Sequence, residues 1–116
     1  MTSRRRHLSL PERNAYRSLE DVVGCKWSAA VVAALGAGVR RPGELERYIP
    51  GISKKVLQER LRKLLNYGLI TRAEHPGTVP HVEYRLTPFG EQLADVLARL
   101  RTLDAARGTL VTKETA

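Results

Sequence analysis

Pro50 and Gly51, followed by ISKKVLQERLRKLLNYG, constrain the fold of this chain more than any other stretch. Proline cannot continue a helix and glycine turns at no steric cost, so the pair closes whatever helix precedes it. Ser53 is a residue type that caps a new helix. From there to about Asn66, Leu57, Leu61, Leu64 and Leu65 fall at i, i+4, i+7 and i+8, a core-facing stripe that Gly68 stops. Upstream, Pro42 and Gly43 open a shorter helix that carries Leu45, Tyr48 and Ile49 inward. Two helices joined by a tight Pro-Gly turn make a helix-turn-helix.

The flanking segments supply what such a pair packs on. Pro11 suits a first helical turn, and Ala15, Leu19, Val22 and Val23 recur at helical spacing, so a first helix runs to about Gly24. KWSAAVVAALGAG is apolar almost all round and reads as a short central helix packed on several sides. After Gly68 the period changes. LITRAEH and HVEYRL, rich in β-branched and aromatic residues, flank PGTVP as an antiparallel hairpin over about 70–86. Thr87 and Pro88 then start a last helix with Leu93, Val96, Leu97, Leu100 and Leu103 on one side. The expected fold class is mainly α with a small β-hairpin (α+β), the plan of a winged helix. Residues 1–9 read as a flexible basic arm, 10–107 as one domain and 108–116 as a frayed tail.

The chain of 116 residues carries 20 Lys and Arg against 12 Asp and Glu, a net +8, which favours a polyanionic partner. Between residues 40 and 63 eight basic residues face three acidic ones, so most of the excess lies in the helix-turn-helix. No apolar run approaches a bilayer span and MTSRRRHLSLPER lacks a signal-peptide block, so a cytoplasmic protein without membrane contact is expected. Cys25 is the sole cysteine, which excludes an internal disulfide and a cysteine-built zinc site. It stands beside Lys26, where a lowered thiol pKa would favour oxidation; a small buried residue is the other reading. Trp27 reads as a core anchor. His75 and His81 flank the hairpin tip without a carboxylate or cysteine recognised beside them, so no metal ligands and no cofactor are expected. Nothing assembles a nucleophile, base and oxyanion site, so an enzyme is not expected.

Lys54 and Lys55 sit directly behind the Ser53 cap, where the partial positive charge of a helix start disfavours cations. Lys55, Gln58, Glu59 and Arg62 share a narrow arc away from the leucines. A solvated charged face and a nucleic-acid-reading face both fit that arc. For reading, Arg62 suits guanine, Gln58 adenine and Glu59 a cytosine amine, while Ser53, Lys54 and Lys55 suit a phosphate that would offset the dipole. Arg60 fits either this face or a surface pair along its own helix.

VVGCKW, YIPGISKKVLQERLRKLLNYGLI and VEYRLTPFG, in this order, resemble the HxlR-type winged helix-turn-helix transcription regulators, which are MarR-like, over about residues 14–103. The resemblance implies a bacterial regulator that binds double-stranded DNA as a homodimer, with the 53–66 helix in the major groove and the terminal helices building the dimer. A two-fold dimer suits a palindromic operator. The seam is expected at Leu10, Leu19, Leu97, Leu100 and Leu103, with Leu8 beside them; these leucines would otherwise close the monomer's own core. On the wing, His75, Thr78 and His81 are placed to touch phosphates or the minor groove, with Arg72 and Arg85 behind, and Arg41 joins the set from the first helix of the motif. Asn14 stands where many members carry a sensor thiol, and His81 where a wing arginine is common. A winged helix that binds a protein partner, without sequence-specific DNA binding, is the alternative. Nothing in the sequence names an effector, an operator, the regulated genes, or the sign of regulation.

Overall fold

The Ser9 hydroxyl accepts from the Glu12 N–H at 3.2 Å while the Glu12 carboxylate accepts from the Ser9 N–H at 2.9 Å, a reciprocal cap that starts the first helix. In the computed structural model, residues 7–24 and 26–111 are described, side chains excepted at Leu19, Val23 and 108–111. The elements run α1 (Leu10–Val23), α2 (Ser28–Gly36), α3 (Pro42–Tyr48), α4 (Lys54–Asn66), β1 (Ile70–His75), β2 (His81–Leu86) and α5 (Pro88–Val111). Each boundary has a local cause. Ser53 Oγ accepts from Val56 N–H at 3.1 Å to start α4. Thr87 Oγ1 accepts from Gly90 N–H at 3.0 Å to start α5, and its own hydroxyl donates to the Gly68 carbonyl at 2.8 Å, tying the end of the hairpin to the end of α4.

The expected mainly α winged helix is what forms. The apolar helix α2 is central, touching α1, α3, α4, α5 and β2. Around its Val31, Val32, Ala34 and Leu35 pack Leu45 and Ile49 of the α3 region, Leu57, Leu61 and Leu64 of α4, and Leu69, Ile70 and Tyr84. Each fully buried leucine among them stabilises the fold by roughly 1.5–3 kcal/mol. The hairpin pairs Ile70 with Leu86 through His75 with His81, in antiparallel register. Tyr84 N–H also donates to the Arg40 carbonyl at 2.8 Å, which pins the hairpin beside the entrance to α3.

The turn between α3 and α4 needs its glycine twice over. Gly51 has φ +90°, and a Cβ there would stand 3.3 Å from the indole Cη2 of Trp27. Trp27, half-buried against the core, is therefore the anchor expected of it. Two expectations are corrected. Tyr48 is exposed, because on the short α3 only the Leu45–Ile49 line meets the core. The last helix runs through Val111 and takes in residues 108–111, which were expected to be tail, since a single glycine at 108 costs a helix only about 1 kcal/mol. Among the described residues no helix is long and apolar enough to cross a membrane.

Candidate nucleic-acid interface

The cations of α4 divide by face. Arg60, half-buried, donates from Nε to the Lys26 carbonyl at 2.8 Å, holding the loop between α1 and α2. It makes no surface pair along its own helix of the kind the sequence allowed. Lys63 Nζ lies 3.1 Å from the Asp21 carboxylate, and Tyr67 Oη donates to the same carboxylate at 2.9 Å. The Tyr67 hydroxyl first, then Lys63, hold the Asp21 carboxyl below its usual range. Asp21, Lys63 and Tyr67 were not singled out from the sequence, because 42 and 46 positions separate the partners.

Elsewhere on the helix and its cap, Ser53, Lys54, Lys55, Gln58 and Arg62 are exposed, Arg62 at the rim of the cleft that Asp21, Arg60, Lys63 and Tyr67 line. Glu59, expected with them, is half-buried at the border of the two faces. Among the described residues no hydrogen bond or ion pair within the chain engages the side chains of Lys54, Lys55, Gln58 or Arg62. The first turn of α4 contains no acid, so its N-terminus keeps its full partial positive charge.

The hairpin brings a second group to the motif. Arg41, the residue before α3, lies with Nη2 3.3 Å from His81 Nε2, so these two expected contacts meet across 40 positions. His81 Nε2 also lies 3.1 Å from Glu83 Oε2, and Arg85 Nη2 donates to Glu83 Oε1 at 3.4 Å. The expectation that no carboxylate accompanies the two histidines is thus corrected: Glu83 follows His81 by two, the same-face spacing of a strand. Hydrogen bonding from His81 first, and the nearby His75 and Arg85, hold the Glu83 carboxyl below its usual range. Arg72 and Arg85, expected behind the histidines on the strands, lie on opposite faces of the hairpin, since Arg72 pairs with Tyr84 and Arg85 with Thr71. Arg72 is ion-paired to Glu74 at 3.0 Å.

The other expected surface lies away from α4's exposed face. Leu10, Leu100 and Leu103 are exposed at 61%, 48% and 65%, together with Leu8, Tyr16, Phe89 and Val96. Leu97 is half-buried against the core, so it serves the monomer's own packing. The side chain of Leu19 and the whole of Cys25 lie outside the described residues. Between α1 and α5 runs an apolar groove of about 880 Å³, with Tyr16, Val22, Leu69, Phe89, Leu93 and Val96 in its walls.

This arrangement has known counterparts. The HTH-type transcriptional regulator YtfH of Escherichia coli (strain K12), described as uncharacterized, is 40% identical over 78 residues, 67% of this chain. The chain spans 62% of the length of that relative. YkvN of Bacillus subtilis (strain 168), another HTH-type regulator so described, is 40% identical over 81 residues, covering 70% of this chain and 69% of its own. The crystal structure of a MarR-family regulator from Enterococcus faecalis V583 superposes with a TM-score of 0.72 at 32% identity, over 92% of this chain and 96% of that one. A model of the HxlR-like helix-turn-helix family matches residues 22–109, and with that span and those relatives the chain belongs to the HxlR-like helix-turn-helix family.

Proposed function

We propose that the chain is a transcription regulator that binds double-stranded DNA sequence-specifically as a homodimer, with α4 in the major groove and the wing against the backbone or minor groove. One observation carries the reading: α4 directs Arg60 and Lys63 into intramolecular bonds while Lys54, Lys55, Gln58 and Arg62 stand exposed without a partner among the described residues. A merely solvated face would leave two lysines in the first turn against the helix dipole with nothing to compensate them. A phosphate at that N-terminus compensates them, aided by the Ser53 hydroxyl and the free N–H groups of the first turn. Farther along, Gln58 and Arg62 reach base edges, Arg62 being suited to the O6 and N7 of guanine. Arg41 and Arg85 add positive charge beside the groove.

The names of the relatives support regulation of transcription as the outcome. The exposed leucines of α1 and α5 support a two-fold dimer, which would set two copies of α4 about 34 Å apart for a palindromic operator. A DNA partner would be consistent with a cytoplasmic location.

Selection of bound sites from random duplex DNA tests this. An inverted repeat whose half-sites are one helical turn apart is expected. No enriched sequence, with binding that varies only with salt, would contradict it.

A further inference from the structure

His75 and His81 are direct partners in the hairpin register, and Glu83 lies on the same face two residues along β2. Their rings stack at 4.9 Å with planes 12° apart. The residue opposite Glu83 is the small Ala73, and on the same face of β2 the exposed Arg85 stands with Nη2 3.4 Å from Glu83 Oε1, a contact an ion would have to displace. We propose that His75, His81 and Glu83 form a binding site for a borderline divalent transition-metal ion of the Zn²⁺ class, just below the tip of the wing.

The donor set is one that such ions take: two imidazole nitrogens and a carboxylate, leaving a position for water. The distances suit it. Ligands bonded to zinc at about 2.0–2.1 Å in a tetrahedron stand roughly 3.3 Å apart. Glu83 already places one oxygen 3.1 Å from His81 Nε2 and the other 3.5 Å from His75 Nε2. All three donor sets lie within 4.8 Å of one another, and because the rings stack nearly parallel, binding an ion requires the imidazoles to rotate until their nitrogens converge.

The surroundings fix the nitrogens. His81 Nδ1 lies 3.4 Å from the Val79 carbonyl, the outer hydrogen bond that leaves Nε2 as the ligating atom. His75 Nε2 is shielded from solvent and has no hydrogen-bond partner among the described residues, although a carboxylate oxygen stands 3.5 Å away. A cation between them satisfies both. Arg41 Nη2, 3.3 Å from His81 Nε2, would compete for that nitrogen, but its side chain is exposed and can turn into water.

Titrating the full chain with Co²⁺, followed by its visible absorption and by competition with Zn²⁺, tests the site. One equivalent is expected. Losing an outer-shell partner weakens metal binding about 10–100-fold, so losing a ligand should cost at least as much. His75→Ala and the nearly isosteric Glu83→Gln are each expected to bind Co²⁺ at least tenfold more weakly, while His7→Ala binds as the wild type does. Circular dichroism of each variant shows that the fold persists. Absence of a stoichiometric site, or affinity unchanged in either His75→Ala or Glu83→Gln, would overturn the proposal.

Discussion

Arg60 and Arg62 are two positions apart on one helix and have opposite surroundings. Arg60 donates to the Lys26 carbonyl; Arg62 projects outward with no partner among the described residues. Arg60→Ala should therefore cost stability, about 0.5–1.5 kcal/mol for the lost hydrogen bond, read from the urea midpoint. Arg62→Ala should leave that midpoint within about 0.5 kcal/mol and instead lower discrimination at one base position by roughly 1–3 kcal/mol in titrations of cognate and altered duplexes. Lys55→Ala should weaken binding to all sequences alike and reduce the salt slope by about 1; a slope equal to the wild type's would remove the phosphate contact from the account. Gly90 matters for a different reason. A Cβ there would overlap the Leu69 carbonyl oxygen, where the first turn of α5 crosses the end of α4's connection to the hairpin. Gly90→Ala should destabilise the fold by about 1–3 kcal/mol in the same denaturation series.

Helix α1 is fastened to α4 through Asp21, which gives that pairing a pH dependence. The Asp21 carboxyl is held below its usual value of 3.8 by the Tyr67 hydroxyl and by Lys63. A group whose folded pKa is depressed stabilises the fold above its unfolded pKa and loses that contribution as pH falls through the folded value. The protection of the α1 amides, after correction for the intrinsic pH dependence of exchange, should thus be steady from neutral pH to about 4 and fall below it, ahead of α2. Asp21→Asn should remove the difference between the two ranges. None of this was legible in the sequence, because a side chain 46 positions from its partner leaves no periodic trace. What was legible rested on local rules: the caps at Ser53 and Thr87, the leucine period of α4 and the change of period at Gly68. The charged arc of α4 was found the same way, but its division into inward Arg60 and Lys63 and outward Arg62 depends on where the α1–α2 loop lies. The trio on the wing was half visible. His75 and His81 stood out as a pair, and Glu83 was missed although its spacing of two from His81 puts it on the same strand face; that His75 lies opposite His81 follows from the strand register.

At the scale of the molecule the chain has two surfaces with different chemistry, a cationic one on α4 and the wing and an apolar one on α1 and α5. The apolar groove and the exposed Leu10, Leu100 and Leu103 call for a cover, which a second copy would provide. Light scattering should report a dimer for the wild type and a monomer for Leu100→Glu; a wild-type monomer at micromolar concentration would contradict the dimer. Coupling of the two surfaces follows, since a monomer offers one α4 and loses the gain from binding two half-sites. Leu100→Glu should therefore bind a palindromic duplex far more weakly while its stability changes little, because Leu100 is half exposed in the single chain. The central claim is that the outward face of α4 meets duplex DNA, and the most direct test is to follow backbone amide signals as duplex DNA is added at low salt. The signals of Ser53 through Arg62 should shift first and furthest. If they stay in place while the protein binds, or if no signal moves, the claim is contradicted.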